Sequence, residues 1–310
     1  MPDQPAQHMQ CMEVWGGSQL TSRGVEFGGL DAWVYSKPYG KAHAGGDVYY
    51  ASSCATGRIS RLLLADVAGH GQTVAATAAD LRTLMRRFVN RLDQTEFVRL
   101  LNQQFAALPR TGAFATAIVT TFFEPSRRLT VCNAGHPRPL LFRGAQRHWD
   151  FLGSQETGSR AAPSNIPLGL FDAAEYEQFD IELEPGDCLL SYTDALIESR
   201  DADGEMLGED GLLRIVRVLG DVEPHKLIDT LLAEIERRYP ENLSEDDVTV
   251  LVVRANGRRL RFPVRERLRA VGRFLKALFR GERAPFPDAN LANIGGAIIP
   301  ALARRWRAKS

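Results

Sequence analysis

Hydrophobic and polar residues follow two different periodicities along the chain, one typical of strands and one typical of helices. Short runs rich in aromatic and β-branched residues, each bounded by turn formers, predict strands. These runs lie at residues 30–36, 47–54, 59–67, 116–123, 129–135, 139–144 and 247–255. After Gly71 the periodicity changes, because apolar residues now occur every three or four positions, at Val74, Ala78, Leu81 and Met85. That spacing predicts a helix with one buried face.

Three further stretches, 95–108, 210–219 and 223–238, have the helical period, and 186–199 reads as a strand that runs into a helix. The turn formers of 152–165 predict an exposed loop. Antiparallel strands with helices grouped between and after them predict a layered α+β domain over roughly residues 20–256.

Composition places the chain among ordinary globular proteins but reveals a charge asymmetry. The 310 residues carry 38 basic and 38 acidic side chains, and 44% are hydrophobic. Residues 255–310 hold 14 of the Lys and Arg residues and only 3 of the Asp and Glu residues. An acidic body of about −11 is therefore followed by a basic tail of about +11.

The four cysteines, the N-terminus and the hydropathy exclude several classes. Isolated cysteines without a CxxC pair favour buried thiols in a reducing cytoplasm over a disulfide framework. The N-terminus has neither the basic start nor the apolar stretch of a signal peptide. No run of about 18 apolar residues predicts a membrane span.

Four aspartates occupy the same kind of position, at the mouth of an apolar strand: Asp47, Asp66, Asp194 and Asp246. A single acid there is commonly a turn or helix-cap residue, and that reading stays open for each one alone. Gathered together, carboxylates raise each other's pKa unless a cation neutralises them. Oxygen ligands without cysteine or histidine favour Mg²⁺, Mn²⁺ or Ca²⁺ over zinc.

Glycine corners adjoin two of these acids, at Gly45–Gly46 and at Gly69–His70–Gly71. Such corners let the backbone approach bound ions and leave space for a substrate. Two ions about 3.5–4 Å apart can clamp a phosphoryl oxygen and activate a water molecule at neutral pH. The glycine corners are therefore compatible with a metal site of this kind.

Five motifs follow one another in the order AGGDVYY, LLLADVAGHG, NAGHPRPLLF, LEPGDCLLSYTDALIE and EDDVTVLVV. Together they resemble the metal-dependent type 2C protein phosphatases, in particular the bacterial SpoIIE-like (stage II sporulation) branch that regulates sigma factors. The resemblance implies a four-layer α-β-β-α sandwich of two antiparallel sheets flanked by helices. It divides the chain into an N-terminal segment (1–27), a phosphatase domain (28–256) and a basic amphipathic C-terminal extension (257–310).

The resemblance also implies a site for two divalent ions, Mn²⁺ or Mg²⁺, at one edge of the paired sheets. Asp47 and Asp66 would be its central catalytic ligands, with Asp66 shared between the ions. The backbone carbonyl of Val67 would add a ligand. Asp194 would hold one ion, and Asp246 matches the first acid of the family's D-[DN]-x-T motif. A water shared by the ions would then attack phosphorus directly, without a phosphoenzyme.

Other positions have more than one interpretation. His70 is a candidate catalytic acid, or else it shapes its loop. Eukaryotic relatives bind the substrate phosphate through an arginine without a clear counterpart here, and Arg58 and Arg138 are candidate substitutes. His136 lies beside the site in the family, but a turn residue bonded to backbone is the competing interpretation. Asp247 would lie behind the ligands or be structural.

The tail leaves three interpretations open. Residues 258–283 interleave ten basic residues with apolar residues at helical spacing, which predicts a basic amphipathic helix. This helix could pack on the domain, lie on an anionic membrane surface, or bind a partner protein or the acidic body. Nucleic acid is not expected, because no nucleic-acid-binding fold accompanies the charge.

Two classes of function compete. The first is an active cytoplasmic protein serine/threonine phosphatase whose substrate is a phosphorylated protein, such as an anti-sigma-factor antagonist, with a homodimer left open. The second is an inactive relative that serves as a scaffold or phosphoprotein-binding module. A cluster of buried carboxylates lowers the stability of the fold when no metal is bound. An inactive relative is therefore expected to lack at least one of the ligands. All four aspartates are present here, which favours the enzyme, whether its substrate is a protein or a small phosphoester.

Overall fold

The structure, a computed structural model, describes residues 7–9, 14–53, 58–69, 72–88, 91, 93–108, 112–153 and 164–258. The α-helices in these residues are α1 (Gln72–Phe88), α2 (Gln94–Ala106), α3 (Ala195–Glu198), α4 (Gly208–Leu219) and α5 (Pro224–Arg238), and a 3-10 turn spans Glu124–Ser126. The strands are β1 (Gln7–His8), β2 (Val14–Gly17), β3 (Thr21–Glu26), β4 (Leu30–Lys37), β5 (Asp47–Ser53), β6 (Ile59–Val67), β7 (Ala115–Phe123), β8 (Arg128–Ala134), β9 (Leu140–Arg143), β10 (His148–Phe151), β11 (Ser164–Asn165), β12 (Phe179–Glu182), β13 (Cys188–Tyr192) and β14 (Val248–Ala255).

These strands form two sheets. The β14 sheet has the order β1-β3-β4-β14-β13-β9-β10, and the β6 sheet has the order β11-β8-β7-β6-β5-β2, with β12 also paired to β8. The pairs are antiparallel except for the two short pairs β1–β3 and β11–β8. The longest pair, β6–β7, holds nine residues in register.

Apolar side chains fill three gaps between four layers. One core, which includes Val34, Tyr49 and Leu251, lies between the two sheets. A second joins the β6 sheet to α1 and α2, and a third joins the β14 sheet to α4 and α5. The layers are therefore α-β-β-α, and the predicted fold is confirmed.

Strand β14 shows why the central strands are apolar on both faces. Leu251 and Val253 face the other sheet, whereas Val250 and Val252 face α4 and α5. A strand covered on both sides becomes a nearly continuous apolar run instead of an alternating one. The same alternation decides which polar side chains at the strand ends face the gap between the sheets.

The structure also contains strands that the pattern did not predict. β2 and β3 belong to the two sheets, so the sandwich begins before residue 28, inside the segment 1–27 that the sequence placed ahead of the domain. β10 and β12 are short edge strands, and β11 falls in the predicted loop 152–165. An edge strand with one solvated face needs few apolar residues, which is why these segments gave little signal.

The predicted basic helix of 258–283 lies outside the described residues, apart from Arg258. Within the ranges described, none of the helices combines the length and apolarity needed to cross a bilayer.

Candidate active site

Asp47 and Asp66 are neighbours across two strands of the β6 sheet. Asp47 begins β5, and its register partner is Asp66, next to the last residue of β6. Directly opposed residues of an antiparallel pair share a face and have Cβ atoms about 4.5–5.5 Å apart. Tyr49 and Leu64, two residues farther along each strand on that face, belong to the core between the sheets. The two carboxylates therefore end that core at one edge of the sandwich.

The β14 sheet contributes to the same edge. Thr193 follows β13 directly, and its Oγ1 donates a hydrogen bond of 2.9 Å to Asp47 Oδ2 across the gap. The amide of Thr193 donates to the Thr249 carbonyl at 3.0 Å. Asp194 is the next residue, and Asp246 leads into β14. The chain order thus brings all four predicted carboxylate positions to one edge, between the two sheets.

Asp247 holds the loop that leads into Asp47. Its buried carboxylate accepts hydrogen bonds from the backbone N–H groups of Tyr39 and Gly46, both at 2.6 Å. Its own N–H donates to Asp246 Oδ1 at 2.7 Å. A Cβ atom added to Gly45 would collide with the Asp247 carboxylate. The Asp247 carboxylate is therefore used to hold the loop through hydrogen bonds, which is the structural one of its two interpretations. Asp246 is the less buried of the two acids.

Gly46 allows two backbones to approach closely at this edge. A Cβ atom at this position would lie 2.8 Å from the Val67 carbonyl oxygen and 3.4 Å from the Gly69 carbonyl oxygen. Gly69 adopts a φ of 102°, in the region that favours glycine. The carbonyl groups that follow β6 therefore lie beside the Asp47 loop, next to the carboxylates.

Burial sets the charge state of Asp47. The residue is 3% exposed, and burial, followed by the charge of Asp66, raises its pKa well above the ordinary value. Hydrogen bonds from Thr249 and Thr193 oppose this shift because they stabilise the ionised form. Without a cation, Asp47 therefore holds its proton well above the pH at which an exposed aspartate would lose it.

The other carboxyl groups are shifted in the same direction. Burial, and then the charges of Asp194 and Asp246, raise the pKa of Asp66 to about 8. Burial, and then the charges of Glu198 and Asp246, raise the pKa of Asp194 to about 6. Glu198 is an exposed acid that the sequence reasoning missed. Its spacing of four residues from Asp194, across one helical turn, is the signal that could have indicated it.

The donor set fits hard divalent cations. The groups at this edge are carboxylate and carbonyl oxygens, the ligands that Mg²⁺ and Mn²⁺ prefer. No basic side chain is among the strongest influences on the pKa of Asp47, Asp66 or Asp194. In the described part of the chain no three acidic, imidazole or thiol side chains are already gathered tightly enough to enclose an ion. Binding would therefore have to draw these carboxylates together, and the cation would reverse their pKa shifts.

The two candidate phosphate-binding arginines differ in where the structure places them. Arg58 precedes β6, eight residues before Asp66, and an extended strand of that length spans about 26 Å. Arg138 Nε donates to Glu209 Oε2 at 2.6 Å, and its guanidinium stacks 3.8 Å from the centroid of the Phe151 ring. Strand geometry therefore contradicts the suggestion for Arg58, whereas the Arg138 guanidinium is already paired with Glu209 and stacked on Phe151. His70 lies outside the described residues.

A four-layer sandwich with carboxylates between its sheets is the arrangement that the resemblance to type 2C phosphatases implied. The sequence model of the family Stage II sporulation protein E (SpoIIE) matches residues 57–256. The chain therefore belongs to the SpoIIE family.

Solved structures show the same fold at low sequence identity. The RsbU and RsbW domains of Rv1364c from Mycobacterium tuberculosis align with a TM-score of 0.60 and 22% identity, over 86% of this chain and 79% of that one. The PP2C phosphatase domain with a regulatory-domain fragment of SpoIIE from Bacillus subtilis gives 0.60 and 17%, over 79% and 64%. RsbX, solved in complex with magnesium, gives 0.54 and 15%, over 76% and 99%.

Proposed function

We propose that this chain is a metal-dependent protein serine/threonine phosphatase. The observation that carries the proposal is the pair Asp47 and Asp66, held in register on the face between the sheets with raised pKa values. Carboxylates in this state destabilise the fold unless a cation occupies the site. The SpoIIE family match supplies the reaction class.

In this proposal the chain holds two divalent ions, Mn²⁺ or Mg²⁺, through the carboxylates of Asp47, Asp66, Asp194 and Asp246 and the carbonyl of Val67. Such ions, when bound, activate water for in-line attack on phosphorus and neutralise the phosphoryl oxygens. The chain's own part is positioning. Thr193 orients the Asp47 carboxylate from the opposite sheet, and strand β6 holds Asp66.

His70 keeps two proposed roles, proton donation to the leaving oxygen or shaping of its loop. Its placement four residues after Asp66 puts it next to the site along the chain. A variant that replaces it with glutamine should lower turnover of alkyl phosphates more than that of p-nitrophenyl phosphate if it donates the proton. The nitrophenolate leaving group needs little protonation.

The proposed substrate is a phosphorylated protein of a partner-switching pathway in the cytoplasm, such as an anti-sigma-factor antagonist. The support is the likeness to proteins named RsbU and SpoIIE. A homodimer, and a partner or membrane contact of the basic tail, are further parts of this proposal. The inactive scaffold is disfavoured, because all four carboxylates are present and Thr193 orients one of them, Asp47.

The test is hydrolysis of p-nitrophenyl phosphate and then of a phosphoserine peptide by the full chain, with EDTA, Mg²⁺ or Mn²⁺. The Asp66→Asn variant should lose most of the metal-dependent rate, because it removes the carboxylate proposed to be shared by the two ions. The matched control is Asp172→Asn, which removes a carboxylate at an exposed position. Equal rates in wild type and Asp66→Asn would contradict the proposal. Calorimetric titration with Mn²⁺ distinguishes a scaffold, which binds no ion, from an enzyme with an unsuitable substrate.

A further inference from the structure

The His136 ring is buried beside the carboxylate site with one polar atom unsatisfied. The residue is 4% exposed. Its Nδ1 lies 2.9 Å from Thr116 Oγ1, whereas its Nε2 is buried without a hydrogen-bond partner. Buried polar atoms almost always have a partner, so a ring held in this way needs an explanation other than the stability of its turn.

The turn that contains His136 is fixed by bonds that the ring does not make. The Asn133 side chain donates to the His136 carbonyl at 2.9 Å and accepts from the His136 N–H at 2.7 Å. Gly135, with a φ of 69°, makes the turn and pairs with Ala117 of β7. The imidazole is therefore not required for the local backbone, and its contact with Thr116 is a separate feature.

Thr116 connects that ring to the carboxylates. It lies directly opposite Asp66 in the β6–β7 pair, as Asp47 lies opposite Asp66 in the β5–β6 pair. The three side chains therefore share the face between the sheets, with neighbouring Cβ atoms about 4.5–5.5 Å apart. Asp47, Asp66 and Thr116 form one row across three strands, and His136 contacts its Thr116 end.

The ring also lies close to the strand that leads to Asp194. Burial lowers the pKa of His136 to about 3, and an interaction with the Tyr192 backbone opposes that shift. Tyr192 is followed by Thr193, the donor to Asp47. His136 is therefore neutral at pH 7 and placed between the two sheets. A neutral ring can fix a neighbour without adding a positive charge that would repel a cation.

We propose that His136 is a positioning residue, which through Thr116 fixes the orientation of the Asp66 carboxylate toward a divalent cation. This inference rests on the proposed function. The Thr116 hydroxyl has a single hydrogen. When Asp66 is ionised that hydrogen points to the carboxylate, and the Thr116 oxygen accepts from His136 Nδ1–H. In that state Nε2 carries no hydrogen and donates no hydrogen bond, in agreement with its lack of a hydrogen-bond partner.

The first test is calorimetric titration of the full chain with Mn²⁺. Thr116→Val and His136→Gln remove the contact, and each should raise the Kd of Mn²⁺ about tenfold or more. Thr116→Ser and His136→Asn keep a polar atom where the contact needs one, and both should stay within about threefold of wild type. Because the two residues act as one unit, the Thr116→Val/His136→Gln double variant should bind about as weakly as either single variant.

The second test reads the ring directly, by ¹⁵N NMR of the imidazole with saturating Mg²⁺. The Nδ1-protonated neutral tautomer is expected, and Thr116→Val should change the tautomer balance. A ring protonated at Nε2 in the Mg²⁺-bound wild type would overturn the inference.

The outcomes separate this inference from the proposed function. A wild-type chain that binds no Mn²⁺ overturns both. A wild type that binds Mn²⁺, with Thr116→Val and His136→Gln binding equally well, overturns the role of His136 alone. If His136→Gln does not fold, as judged by far-ultraviolet circular dichroism, the Thr116→Val and Thr116→Ser pair decides.

Discussion

Replacing Asp66 with asparagine should make the metal-free protein more stable at neutral pH. The pKa of Asp66 is about 8 in the folded protein, against an ordinary value of 3.8. Between these values the folded chain keeps a proton that the unfolded chain has released. Folding stability therefore falls as the pH rises through this window. Asparagine does not titrate, so the variant loses this source of pH dependence.

The size of the effect follows from the width of that window. Each pH unit inside it lowers the free energy of unfolding by up to about 1.4 kcal/mol for one group. Asp66 is partly exposed, and solvent screening reduces this value. We expect the wild type to lose about 1–3 kcal/mol more than Asp66→Asn between pH 5 and pH 7.

The assay is urea unfolding in EDTA at pH 5, 6 and 7, followed by tryptophan fluorescence. Asp172→Asn serves as the control, because its exposed carboxylate should leave the pH dependence unchanged. Saturating Mn²⁺ should reverse the order of stability, since only a chain that binds the ion gains stability from it. Parallel pH dependence of wild type and Asp66→Asn in EDTA would refute the reasoning.

Three further changes test the scaffold around the site. Gly46→Ala places a Cβ 2.8 Å from the Val67 carbonyl oxygen. It should lower the free energy of unfolding, measured with urea, by about 1–3 kcal/mol. The control Gly211→Ala in α4, where the contacts of an added Cβ begin at 3.2 Å, should leave the free energy of unfolding nearly unchanged. Asp247→Asn leaves one of the two backbone N–H groups that the carboxylate accepts from facing another donor. It should lower the free energy of unfolding by about 1–3 kcal/mol at pH 7 with EDTA present. An unchanged urea midpoint would contradict the anchoring role of Asp247. Arg58→Ala should leave the KM for p-nitrophenyl phosphate within about twofold of wild type, because an extended strand of about 26 Å separates the residue from the site.

Local patterns were sufficient to predict the central strands and the acids at their ends. Strand β6 was predicted at 59–67, as the structure has it, because a strand covered on both faces is a continuous apolar run. The edge strands β10 and β12, and β3 beside the two-residue β1, were not predicted, since a strand with a solvated face has few apolar residues. Their pairing depends on neighbours that lie far away along the chain.

The contacts that orient the acids were not readable from the sequence. Thr193 and Asp47 are 146 residues apart, and only the packing of the two sheets brings the hydroxyl to the carboxylate. Thr116 meets Asp66 through strand register, which a local pattern does not specify. Arg138 lies close to a motif in sequence, but its pairing with Glu209 is a tertiary contact that a local pattern does not predict.

The site divides into groups that oppose the metal-free fold and groups that support it. Asp66 carries a raised pKa, so its ionised form works against folding. Asp247 lies next to the same cluster, but its carboxylate accepts two short backbone hydrogen bonds, so this side chain supports the fold. Asparagine in place of Asp66 should raise stability in EDTA, whereas asparagine in place of Asp247 removes one hydrogen-bond acceptor and should lower it. The sign of that change therefore distinguishes a carboxylate kept for a cation from one kept for the fold, without any measurement of activity.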